Sequence, residues 1–282
     1  MKFFRALQSV PEIERPTLDL SGPILTAAIE RLAMSCEATG GIEAYVEALR
    51  LKGEAFSKIF ADAGDAGPSA ANFAVLAGLM PTVRRRIAPW LESGKFEELS
   101  TAVRILLSGP HDPLTVDRRI AEFCVAFPQD KKHRWVRDLA AELLHGLDPE
   151  RYPLMCRWVW DRDSNTGVIR EIWHGNVDRE TLQVPGGYAT FVMLREELSQ
   201  FLSENGVFQS VLHYVDLVMA QVYAEYISAQ GGSYLRADFS SAEDTIHHLR
   251  RLLGLDGVRI KPNEAPASAV ARLEMLPSHG DQ

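Results

Sequence analysis

Asp161, Asp163, Glu171 and His174 fall within fourteen residues. Three carboxylates and an imidazole are a donor set that divalent cations accept. On a continuous strand side chains alternate, so Asp161 and Asp163 would share a face and Glu171 would return opposite them on a second strand. His174 would follow at the strand end as a ligand or a base. Such a site would suit a metal-dependent hydrolase or nuclease that holds Mg²⁺ or Mn²⁺. A plainer expectation competes with it. Asp163, Ser164 and Asn165 are ordinary turn formers, and Arg162, Arg170 and Glu171 suit a solvated strand face.

Two other constellations could bind rather than react. Trp158, Trp160 and Trp173 are interleaved with Arg157, Arg162 and Arg170, and aromatic faces with guanidinium groups stack bases or hold a peptide. The same tryptophans would equally serve to cover a core. Residues 82–137 hold eleven Lys and Arg against seven Asp and Glu, which leaves −12 elsewhere in a chain of formal charge −8. The dense points are Arg84-Arg85-Arg86 and Lys131-Lys132-His133-Arg134. Brought to one face, they would meet nucleic-acid phosphates or an acidic protein surface; kept apart, they are solvated helix faces.

The sequence lacks GxxxxGK[ST], GxSxG and HExxH, and no GxGxxG follows a strand pattern, so no cofactor is evident. Gly186-Gly187 and Gly231-Gly232 read as punctuation between helices. Cys36, Cys124 and Cys156 form no CxxC pair, and their sparse, odd number fits a reducing cytoplasm and inert thiols. His213 and Asp216 are three apart and would be neighbours on a helix.

These residues need elements to hold them. At 46% hydrophobic and 24% charged, the 282-residue chain has globular proportions and a pI near 5.5. No apolar run approaches the ~20 residues of a membrane span, so no membrane association is expected. Ser21 and Pro23 open a helix carrying Ile24, Leu25, Ala28, Ile29 and Leu32, which Gly40-Gly41 stops. Further stripes at three-and-four spacing run through Tyr45–Phe60, Phe73–Met80, Leu99–Leu107, Ile120–Phe127 and Trp135–Leu144. After residue 187, Phe191–Leu202 forms another, and Val211–Tyr226 is apolar over most of its circumference, which places it centrally. Ser240 and Glu243 have capping-box spacing ahead of Ile246–Leu253. Between the two helical portions, two β-branched and aromatic runs flank the Asp163–Gly167 cluster and predict a β-hairpin.

The expected fold is therefore mainly α, a multi-helix bundle or array with one central β-hairpin at about 156–174. Its expected divisions are an arm (1–19), a helical portion (20–147), a hairpin-plus-helical portion (148–260) and a flexible tail (261–282). The string Leu147-Asp148-Pro149-Glu150-Arg151-Tyr152-Pro153-Leu154-Met155, with Tyr188-Ala189-Thr190-Phe191 and Val215-Asp216 downstream, resembles helical accessory regions beside motor domains in restriction-type defence proteins. The motor's nucleotide-binding loop is missing here. Composition and motifs together point to a cytoplasmic interaction, regulatory or accessory protein rather than an enzyme. Its expected partner is another protein, bound through Trp158, Trp160, Trp173, Arg84, Arg85, Arg86, Lys131, Lys132 and Arg134. The alternatives are the hydrolase at Asp161, Asp163, Glu171 and His174, and a nucleic-acid-binding protein using residues 82–137.

Overall fold

Ser21 adopts extended backbone and Pro23 lies in the first turn of α1 (Gly22–Glu37), whose Leu25, Ala28, Leu32 and Cys36 are buried at three-and-four spacing. In the computed structural model, residues 15–92, 94–110, 112–175, 180–234 and 242–257 are described, with the side chains of 231–234 and 242–244 excepted. The expected Ser240–Glu243 capping box, most of the arm and the tail from 261 lie outside the described residues.

Among the described residues nine further helices follow: α2 (Ile42–Ala63), α3 (Ala70–Gly78), α4 (Lys95–Leu107), α5 (Val116–Val125), α6 (Trp135–Leu147), α7 (Val168–Glu171), α8 (Tyr188–Glu204), α9 (Val211–Tyr234) and α10 (Ala242–Leu252). Ser69 caps α3, its hydroxyl accepting from the Asn72 amide at 3.2 Å. As its sequence requires, α9 is central and packs against α1, α2, α7, α8 and α10, while α6 packs against α2, α4 and α5. One buried apolar cluster runs from Leu18 to Leu255. Among the described residues, no helix is long and apolar enough to cross a membrane.

The expected hairpin at 156–174 is not formed. Asp161 and Thr166 make a single antiparallel bridge, with Asp161 N–H donating to the Thr166 carbonyl at 2.9 Å and the reverse bond at 3.2 Å. Asn165 closes this turn in the left-handed region at φ 52°. The two arms stay adjacent for one more step, where Val168 and Ile169 donate to the carbonyls of Trp158 and Val159. Gly167, just before this step, turns the chain at φ 121°, where a Cβ would lie 2.7 Å from the Val159 oxygen. Beyond it the second arm coils into α7.

Burial explains the difference. Val168, Ile169 and Ile172 are all fully buried, and a ribbon would have divided them between two faces. One helical turn puts all three on one side. Burying each contributes roughly 1.5–3 kcal/mol, whereas strand preferences span only about 1 kcal/mol. Trp158 and Trp160, two apart and therefore on one face of a strand, instead point to different neighbours. Trp158 packs on Tyr223 of α9 (ring centroids 5.9 Å apart), while the Trp160 indole N–H donates to the Pro185 carbonyl at 3.1 Å. The end of this segment clasps the start of α1: Trp173 bridges Leu20, Ser21 donates to the Ile172 carbonyl and His174 donates to that of Asp19.

Candidate functional site

Three stretches meet around a groove of about 810 Å³. The first is the start of α6 with the turn before it. Asp130 accepts from the Lys132 and His133 amides at 2.7 and 3.1 Å, and the His133 imidazole lies 2.9 Å from the same oxygen. That hydrogen bond holds the Asp130 carboxyl below the usual carboxylate range. The turn leaves Lys131 and Lys132 exposed. Arg134 and Arg137 follow three apart on one helix face.

The second stretch is 157–163. Arg157 clamps Asp138, which is 1% exposed, through its backbone N–H at 3.0 Å and its guanidinium at 3.1 and 2.7 Å. Asp161 divides its oxygens: Oδ1 accepts from the Asp163 and Ser164 amides, and Oδ2 accepts from Arg134 at 3.1 Å. The third stretch is Pro185–Gly187, which opens α8. Asp117 of α5 accepts from the Tyr188 amide at 2.8 Å and so caps α8 from another helix. Gly187 permits this approach, since a Cβ there would sit 2.7 Å from the second Asp117 oxygen. Arg137 ties α6 to both neighbouring segments, donating to the carbonyls of Met155 (2.9 Å), just ahead of the second stretch, and Gly186 (3.1 Å) in the third.

Charge is shared unequally across this groove. Among the described residues five Lys and Arg side chains line it: Lys131, Arg134, Arg137, Arg157 and Arg162. Arg134 and Arg157 are ion-paired with Asp161 and Asp138. Among the described residues Lys131, Arg137 and Arg162 have no carboxylate within ion-pair distance. Of the lining carboxylates, Asp161, Asp130 and Asp117 are engaged as described, and Asp163 is exposed on the rim. The rim extends further, because Arg86 donates to the Lys132 carbonyl at 3.4 Å. The two dense basic points of the sequence therefore meet, with Arg85, Arg86, Lys131 and Lys132 all exposed. Arg84 turns away into a two-pronged pair with Asp256.

The other expected site residues are placed differently. Trp158 and Trp160 are 6% and 1% exposed and Trp173 is half-buried, so the first two offer no open stacking face. Asp161 is occupied as a turn former, Glu171 ends α7, and the exposed His174 lies 3.8 Å from Asp19. Among the described residues no group of three or more His, Cys, Asp and Glu side chains is arranged to hold a metal ion.

Sequence reasoning missed a second charged cluster, buried among α2, α6 and α9. Lys52 donates to Glu142 at 3.3 Å and to the Leu253 carbonyl at 3.0 Å. His145 lies 3.1 Å from Asp216 and 2.9 Å from the Tyr152 carbonyl. A carbonyl only accepts, so Nδ1 carries a proton, and Nε2 faces a carboxylate. Burial alone pushes His145 down, but the Asp216 charge and hydrogen bond, with the Tyr152 carbonyl, hold it above the ordinary histidine value. Burial raises Glu142 against the pull of Lys52 and lowers His213, whose Nδ1 has no hydrogen-bond partner among the described residues. Cys156, fully buried beside this cluster, is raised well above a normal thiol, first by burial and then by Glu142 and Asp138. The available signal was Asp216 itself, an acid on the most apolar helix; its partner is His145 and not His213.

No family model matches the chain, and no curated protein or solved structure matches it either.

Proposed function

We propose that this chain works by binding, and that its groove receives an acidic segment of a partner protein. The observation that carries the reading is the set of spare cations, Lys131, Arg137 and Arg162, around one groove of about 810 Å³. A half-buried guanidinium such as Arg137, satisfied by carbonyls but by no carboxylate, gains from an incoming anion. Docked carboxylates would find cationic donors on two of the three walls, and Arg137, already held by two carbonyls, would need little ordering.

Anisotropy of a labelled oligo-glutamate peptide tests the reading. Saturable binding at low salt is expected, weakening as salt rises and lost in a Lys131→Ala, Lys132→Ala, Arg162→Ala variant. Absence of binding at low salt, or equal binding by that variant, rejects it.

One observation favours a second reading, nucleic-acid binding. The Arg86–Lys132 contact joins four exposed cations into a rim suited to phosphates. The charge of −8 on the whole chain opposes that reading at long range, and the buried Trp158 and Trp160 remove base stacking. A labelled oligothymidine and a duplex, run beside the peptide, separate the two: binding of either nucleic acid without the peptide replaces the first reading by the second.

A further inference from the structure

Asp161 stands between the guanidinium groups of two groove walls. Its Oδ2 is 3.1 Å from Arg134, and its charge also acts on Arg157. The Asp161 side chain is 13% exposed, that of Arg134 47%, so the carboxylate sits low in the groove with the arginine reaching over it. Its two oxygens have separate tasks. Oδ1 holds the 161–166 turn through two backbone amides, and Oδ2 does nothing structural beyond receiving Arg134.

We infer that Asp161 is a built-in competitor for the groove's acidic ligand: in the free protein it occupies Arg134, and a ligand carboxylate must displace it to bind there. This rests on the groove reading proposed above. Arg134 is then held in reserve while Lys131, Arg137 and Arg162 make the first contacts. The groove favours ligands carrying several adjacent carboxylates, because only a dense anion outweighs the internal one. Arg157 is not available in the same way, since Asp138 beneath it is 1% exposed and would be left as a buried, unpaired charge.

The probe is the labelled oligo-glutamate peptide, measured by anisotropy at low salt on the full chain. Asp161→Asn keeps an oxygen for the two amides and removes the charge, so its melting temperature should match the parent. Its affinity should rise about fivefold, the size expected for freeing one exposed pair. Asp163→Asn removes an equal charge from the rim without touching Arg134 and should gain less than about twofold. A second route leaves the Asp161 turn intact. In the parent background Arg134→Gln should weaken binding less than Arg162→Gln does, while in the Asp161→Asn background Arg134→Gln should cancel the whole gain. Affinity that stays equal or falls in Asp161→Asn, or an Arg134→Gln loss in the parent that matches the Arg162→Gln loss, overturns the inference and leaves the groove reading standing. No binding by either the parent or Asp161→Asn removes both.

Discussion

Along α6, Glu142 and His145 bond to side chains of α2 and α9, whereas Arg134 and Arg137 border the groove. The inner region matches each acid to a base. Lys52 meets Glu142, and His145 meets Asp216, with side-chain exposures of 2–15%. The groove leaves three cations over. Desolvation accounts for the contrast: an unpaired charge is intolerable where water is excluded, so the inner cluster must close on itself. At the groove, solvent stabilises the surplus charge, and under the proposed reading a ligand would take its place. One helix thus carries a finished electrostatic arrangement and an unfinished one, and the unfinished one is where binding is expected.

The sharpest way to break this comparison is to remove one inner acid. Measured below pH 6.5, where the raised His145 is protonated, Asp216→Ala leaves its imidazolium without a counter-charge and should cost about 3–5 kcal/mol in denaturant unfolding. A loss below about 1 kcal/mol would show that water reaches the cluster and that the two regions are not different in kind.

Acidity sharpens it next. His145 has a folded pKa above its unfolded 6.5, so its contribution is fully present below pH 6.5 and disappears as pH rises through the folded value. Glu142, raised above 4.5, acts with the same sign: stability falls as pH rises from 4.5 through its folded value. His213 is lowered from 6.5, so its contribution is present above 6.5 and lost as pH falls through the folded value. Urea midpoints measured across pH should show an alkaline limb that weakens in Asp216→Asn, where the upward pull on His145 is gone. An unchanged limb in that variant would exclude His145 as its source.

A smaller effect is expected at the α8 cap. Gly187→Ala drives a methyl against Asp117 and should cost about 1 kcal/mol of stability, within the range of a lost helix cap. It should also weaken peptide binding by shifting the Gly186 carbonyl that holds Arg137. The smallest stability effect belongs to the rim: Lys131→Ala with Lys132→Ala should change unfolding by less than about 0.5 kcal/mol while weakening the peptide severalfold.

Much of the helical order was legible because apolar residues recur at three and four and glycines punctuate them, as at Gly40-Gly41. The strong apolar pattern of α9 announced its central place. The stretch 156–174 carries a ribbon-like sequence that folds otherwise for a physical reason. Val168, Ile169 and Ile172 satisfy a helical spacing as well as a strand preference, and only tertiary burial decides between them. At the groove, composition exposed the two basic points but not their meeting, which depends on a bond between residues 46 apart in the chain. In sequence Asp161 suits a turn or a ligand, Arg162 accompanies the tryptophans, and Arg137 is one basic residue among eleven in 82–137. The inner cluster was the least legible. Lys52, Glu142, His145 and Asp216 come from three helices, and beyond the Glu142–His145 spacing on α6 nothing local in the sequence links them.

The thiols divide along the same line. Cys36 and Cys156 are fully buried, and burial pushes Cys36 up to about 12; Cys124 is half-buried and borders the groove. A small alkylating reagent would therefore register two clocks in one molecule, a faster one set by access to the cleft and a slower one that ticks only when the helices part.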